Sequence, residues 1–123
     1  MRFMNLVKCP ENLGPPPQSF MDAMDRAADE ARQAGALLDT GGLAPIHRST
    51  VVRLEGGAVT VMDGPFAEGK EVVGGYGVVQ AESLQEAVDG AVWLMNMHRE
   101  YWPGWEGEVE VRPILGPEDF AAG

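Results

Sequence analysis

The segment "DGPFAEGKEVVGGY", residues 63–76, places a carboxylate, an ammonium group and a phenol close together along the chain: Asp63, Lys70 and Tyr76, with Glu68 and Glu71 between them. Such a set suits proton transfer or the anchoring of a small ligand, provided that the side chains share a pocket. A turn aspartate usually accepts from the backbone N–H two residues on. Here that residue is Pro65, which has no N–H. The Asp63 carboxylate must therefore accept from Phe66 or a later amide, or reach elsewhere. In one reading it points into a pocket between sheet and helices as a general base, with Lys70, Glu68 and Tyr76 near enough in sequence to join it. In the other it only ties down a turn that Gly64 and Pro65 shape and Phe66 plugs into the core. His47 precedes a predicted strand and could donate or accept a proton for the same substrate. The candidate catalytic residues are Asp63, His47 and Lys70, and Phe66 and Tyr76 are candidates for ligand binding.

Trp102 joins the ligand-binding candidates from a second cluster. Trp93, Tyr101, Trp102 and Trp105 crowd the later part of the chain around Pro103 and Gly104. Exposed, these rings would form a binding surface or a pocket lid. Buried, they would close the core or a dimer seam. His98, near the end of a predicted helix, is expected to serve as a C-terminal cap that interacts with the helix dipole. Cys9 is the single cysteine, so no internal disulfide forms, and it reads as a small residue at a strand end. With His47 and His98 the only histidines, no spacing resembles a zinc site. Gly56-Gly57 and Gly74-Gly75 lack the spacing and following helix of a phosphate-binding loop, so no cofactor is expected.

These residues must be positioned by a single core, since 123 residues is an ordinary length for one domain. We place that domain at residues 1–115 and a tail at 116–123. Nine basic against nineteen acidic residues give a net charge of −10, which repels phosphate backbones and anionic lipid surfaces. Nucleic acid and membranes are not expected partners. No apolar run reaches the roughly 20 residues of a membrane span, and the opening residues lack the apolar stretch of a signal peptide, which points to the cytoplasm.

The pattern of elements repeats. "MRFMNLVK" is apolar on both alternations, as in a strand covered on both faces. Three prolines at 15–17 break it and lead into a helix capped by Ser19, whose stripe is Phe20, Met24, Ala27, Ala31 and Ala34. That Ala-rich stripe lets the helix lie close on a sheet, and Gly35 is placed to end the helix in a left-handed conformation. "ALLDTGGLAP" reads as a short strand broken at Gly41-Gly42. Residues 49–63 read as a hairpin turning at Gly56-Gly57. "VVGGYGVVQA" is a strand, and a capping box of Ser83 and Glu86 opens a second helix over about 83–97, with Leu84, Ala87, Val88, Ala91, Leu94 and Met95 inward. Residues 98–105 read as an aromatic loop and 107–114 as a last strand. Strand, helix, strand, twice over, is the split βαβ or ferredoxin-like arrangement, an α+β fold, with the central hairpin as an elaboration. Because several strands are apolar on both faces, the face away from the helices calls for a second copy, sheet against sheet, in a homodimer.

"DGPFAEGKEVVGGY", the opening "MRFMNLVK", the later "SLQEAV" and the closing "VEVRPI" together resemble the DGPF family, within the broader YCII-related group. The resemblance spans nearly the whole chain, although Gly69 stands where much of the family has Thr. It implies a ferredoxin-like, dimeric α+β barrel. Some YCII relatives are small-molecule enzymes, among them dehydrochlorinases related in fold to muconolactone isomerases, thought to pair an Asp with a His near the first helix. This chain has Ser19, Phe20 and Met21 in that region and no His. Family members are also often encoded beside sigma factors of the extracytoplasmic-function type, which implies a regulatory setting. Two readings of function follow. One is a small-molecule lyase or isomerase with Asp63 as general base; the other is a non-catalytic ligand- or partner-binding dimer with a regulatory role.

Overall fold

A computed structural model describes residues 1–10, 13–63 and 71–121. Phe66 and Lys70, with the rest of residues 64–70 where a turn was expected, lie outside the described residues.

Among the described residues, six strands and three α-helices follow one another as β1 (Arg2–Cys9), α1 (Gln18–Gln33), β2 (Leu37–Gly42), β3 (Thr50–Glu55), β4 (Ala58–Asp63), β5 (Val72–Gln80), α2 (Leu84–Tyr101), β6 (Glu108–Pro113) and α3 (Pro117–Ala121). Four strands form one sheet in the order β2-β5-β1-β6, with every neighbouring pair antiparallel. Each long helix joins two strands that have a third between them. The result is the interleaved pair of split βαβ units expected from the repeat, compatible with a ferredoxin-like fold. The hairpin of β3 and β4 makes a second sheet of its own. Its turn is Gly56 and Gly57 at φ 58° and 80°, the two left-handed positions that a tight hairpin matching the strand twist requires.

Alternation along β1 fixes which residues meet the helices. Phe3, fully buried, packs with Ala81, with Ala87 of α2 and with the half-buried Val79 and Val111. Asn5 and Val7 lie on the same side of the strand as Phe3, since side chains alternate. Leu6 and Lys8 lie on the other, opposite Glu110 and Glu108 of β6. That other face is less apolar than the sequence suggested. Glu110 accepts hydrogen bonds there from Lys8 Nζ at 2.6 Å and from Arg112 Nε at 2.6 Å. The Lys8 bond, and then the Arg112 bond, hold the Glu110 carboxyl below its ordinary range.

Three local expectations change. The α1 cap position is Pro17, not Ser19, and no side chain caps this end. Pro17 remains extended at φ −60° and ψ 148°, its carbonyl accepts from Met21, and Gln18 is already helical. The strand β2 continues through Gly41 and Gly42 instead of breaking there, paired with Tyr76 and Gly75. Finally, α2 extends to Tyr101, so the first half of the expected aromatic loop is helix. Pro103 stops it, because the residue before a proline is pushed out of the helical region, and Trp102 has φ −133° and ψ 75°. At the other end of α2, Ser83 Oγ accepts from Glu86 N at 3.1 Å. The Glu86 carboxylate reaches back to Glu82 N, one residue before the cap. The C-terminus of α1 ends as expected: Gly35 at φ 76° lets Ala36 N bond Ala31 O and its own N–H bond Arg32 O. Within the tail, residues 117–121 form one short helix.

Candidate ligand-binding cleft

Away from the contact of Ala87 with Phe3, an open cleft of about 1800 Å³ lies between the helices and the sheet. It exists because the residues that face one another across it are small. On the sheet side Gly75 and Gly77 of β5 carry no side chain, and on the α1 side the stripe continues as Ala27 and Ala31. Ala-rich packing was expected to let α1 lie close on the sheet; it leaves this space instead. Only Phe20 and Ala23 of α1 are buried, and Ala34 is exposed. The whole volume exceeds the roughly 300–1,000 Å³ of a typical small-molecule site. The part of the cleft with defined chemistry is therefore the end walled by aromatic rings.

Four rings form that wall. Phe20 of α1 meets His98 of α2 with ring centroids 4.7 Å apart, and His98 meets Trp105 at 4.3 Å. Trp102 lies 5.3 Å from Phe20 and 6.5 Å from Trp105. All four pairs are tilted, at 44° to 59°, the geometry that ring quadrupoles favour over a face-to-face sandwich. The aromatic cluster of the later chain thus borders the cleft through Trp93, Trp102 and Trp105, with Trp93 half exposed.

His98 is 5% exposed. Its Nδ1 lies 2.8 Å from the carbonyl of Leu94. A carbonyl can only accept, so Nδ1 carries the hydrogen and the neutral ring keeps Nε2 as an acceptor. Burial pushes the His98 pKa below that of a free imidazole, against the smaller opposing pull of the Leu94 carbonyl. The neutral form follows at pH 7. His98 is therefore not the helix cap expected from the sequence: α2 runs on past it, and its own backbone carbonyl accepts from Trp102 N. Asn5 is the second buried polar group. It is 8% exposed, borders the cleft from β1, and its Oδ1 has no hydrogen-bond partner among the described residues. An unpartnered buried acceptor costs about 1–3 kcal/mol, so it calls for a compensating donor.

The residues singled out in the sequence are dispersed. Asp63 ends β4, exposed, and its carboxylate accepts from the hydroxyl of Thr50 across the hairpin at 2.8 Å. With the usual local amide removed by Pro65, the carboxylate reaches elsewhere, to the partner strand. His47 is exposed in a short 3-10 turn at Ile46–Arg48. Neither His47 nor Asp63 is among the residues bordering the cleft. Tyr76 pairs with Leu6, on the sheet face away from Phe3 and Asn5, and is nonetheless among the residues bordering the cleft, on β5 next to Gly75 and Gly77. Its ring lies over Gly41, where a Cβ would come within 3.0 Å, and its hydroxyl donates to Asp39 Oδ2 at 3.2 Å. The Asp39 charge, with that hydrogen bond, raises the Tyr76 pKa. Of the described candidates, only Trp102 stands with the aromatic wall.

Asn5 is not among the sequence candidates and His98 reads there only as a helix cap, although the sequence carries a signal for each. Asn5 is the polar residue on the inward alternation Phe3, Asn5, Val7. His98 continues the α2 stripe Ala87, Ala91, Leu94 at helical spacing. Cys9 closes β1 half-buried as expected, bordering the cleft, and burial raises its thiol pKa. Among the described residues no three His, Cys, Asp or Glu side chains converge as a metal site would require, and no helix is long and apolar enough to cross a membrane.

Comparison with known proteins agrees with this architecture. The YCII-related domain matches residues 1–97, most of the chain. An uncharacterised protein of Rhizobium meliloti (strain 1021) is 38% identical over 82 residues, a match covering 67% of this chain and 62% of that protein. The chain belongs to the YCII-related family.

Proposed function

We propose that this YCII-related protein binds a small, mostly apolar molecule in the cleft between sheet and helices, at the end walled by Phe20, His98, Trp102 and Trp105. The observation that carries the reading is the buried Asn5 carbonyl, unpartnered among the described residues and bordering that cleft. A core built mainly of alanines, with Phe3 the one fully buried large side chain among the described residues, supports it, since a bound molecule would supply apolar contacts that those residues lack. The lyase or isomerase reading with Asp63 as base has less support, because that carboxylate is exposed on the hairpin and bonded to Thr50. The non-catalytic, ligand-binding reading therefore has the greater support. The test is tryptophan fluorescence and melting temperature across a library of small apolar molecules. A hit that raises the melting temperature and loses its effect in Trp102→Ala supports the proposal. Hits that act equally on that variant and on Asn5→Leu place binding elsewhere and refute it.

A homodimer of the DGPF type is the companion reading. The accessible surface is 8470 Å², whereas a compact monomer of this mass exposes about 6,400 Å². The surplus of about 2,100 Å² on one copy exceeds the roughly 800 Å² that each partner buries in a standard protein–protein interface.

A further inference from the structure

The cleft reading leaves the chemistry of its occupant open, and four features of the site narrow it. Beside the N–H groups of Trp93, Trp102 and Trp105, the two buried polar side chains that border the cleft present acceptors. Asn5 Oδ1 is buried without a partner among the described residues, and His98, with Nδ1 committed to the Leu94 carbonyl, keeps Nε2 as an acceptor. An occupant satisfies such groups only by bringing hydrogen. The walls are flat rings, with centroids 4.3 to 6.5 Å apart, so the occupant gains most from a flat apolar body. Charge narrows the class again. Among the described residues, Asp25, Asp29, Glu71 and Glu86 border the cleft against the single guanidinium of Arg32, and Arg32 is already paired with Asp29 at 3.2 Å. With a net charge of −10 on the whole chain, an anion entering this cleft is repelled at short and at long range.

Resting on the binding reading above, we infer that the cleft takes a flat, neutral or cationic aromatic molecule carrying an N–H or O–H, and that this group donates to the Asn5 carbonyl while the ring packs against Trp102 and Trp105. Recognition by a buried acceptor is selective in a particular way. It discriminates strongly against an isostere that lacks the donor, because the carbonyl then stays unpaired beneath a bound ring.

Four probes separate these requirements on the unaltered protein: indole, benzothiophene, tryptamine and indole-3-acetate, each titrated calorimetrically. Indole and benzothiophene share a shape and differ in the N–H. Tryptamine and indole-3-acetate share the ring and differ in the sign of charge. The expected result is that indole and tryptamine bind, benzothiophene binds about tenfold more weakly than indole, which corresponds to about 1.4 kcal/mol, and indole-3-acetate binds most weakly of the four. In Asn5→Leu the gap between indole and benzothiophene should close. Where that variant does not fold, the comparison on the unaltered protein decides alone. Equal binding of indole and benzothiophene, tightest binding of indole-3-acetate, or no binding by any probe overturns the assignment of class. In the first two cases, loss of binding in Trp102→Ala shows that the cleft reading stands while the class is wrong. Binding unchanged in Trp102→Ala removes both.

Discussion

His98 and Asn5 show how a polar side chain acquires meaning from burial. A loop or helix-end histidine titrates with little consequence, whereas one 5% exposed among Phe20, Trp105 and the Leu94 turn cannot take up a proton without cost. The folded-state pKa of His98 is depressed by burial, so the unfolded chain binds the proton more readily. Stability is then present above the unfolded value of about 6.5 and falls as the pH drops through it toward the lower folded value. Thermal melts between pH 7.5 and 5 should show this decline, and His98→Phe, which keeps a ring without a titrating nitrogen, should flatten it. A slope unchanged in that variant would assign the effect to other groups. Asp63 gives the opposite expectation. Its bond with Thr50 is exposed, so Asp63→Asn should change stability by less than about 1 kcal/mol in a denaturant titration. A larger loss would mean that the carboxylate also holds the turn that follows it.

At the level of strands and helices, small residues set both the openings and the close contacts. Gly75 and Gly77 keep the cleft open, while Gly107 does the reverse. A Cβ on Gly107 would strike the Lys8 carbonyl and come within 2.6 Å of the Trp105 ring, so only glycine lets the chain enter β6 beside β1. Gly107→Ala should cost about 1–3 kcal/mol, as overpacked sites do, and should disturb Trp105 fluorescence. Urea melts with no shift in midpoint would contradict this packing. Ser83→Ala removes the acceptor for Glu86 N and should cost about 1 kcal/mol, with α2 remaining helical by circular dichroism. These elements were legible before the fold was known. The hairpin, both long helices and their order follow from paired glycines, a capping box and apolar spacing. The starts and ends were less legible, because Pro17 could act as a cap without a capping side chain, and α2 had no reason to stop before Pro103.

The whole molecule carries more apolar surface than one copy buries. On the hairpin, Val52, Leu54, Val59 and Val61 are 66–73% exposed, and the register Val52↔Val61 and Leu54↔Val59 puts all four on one face. Thr50 and Asp63 sit at the foot of that same face. Sedimentation at micromolar concentration should give twice 13.2 kDa, and introducing charge with Val52→Glu and Val61→Glu should leave the four-stranded sheet intact. A monomer at that concentration would reject the dimer. A dimer unaffected by those two changes would place the interface on the Lys8, Glu110 and Arg112 face, away from the helices.

The sequence by itself determined the elements, their order and the α+β class, because turn chemistry, capping and periodicity act over a few neighbouring residues. Family membership was also legible, through the segment at 63–76 and its flanking strands. Only the tertiary structure decided which polar groups meet. Asp63 found Thr50 and Tyr76 found Asp39, each by strand register. Asn5 came to border the same cleft as His98 from 93 positions away in the chain, because β1 lies in the middle of the sheet beneath the helices. Such meetings depend on strand order and on which side of a strand faces inward. A one-residue change of register reverses that side along the entire strand.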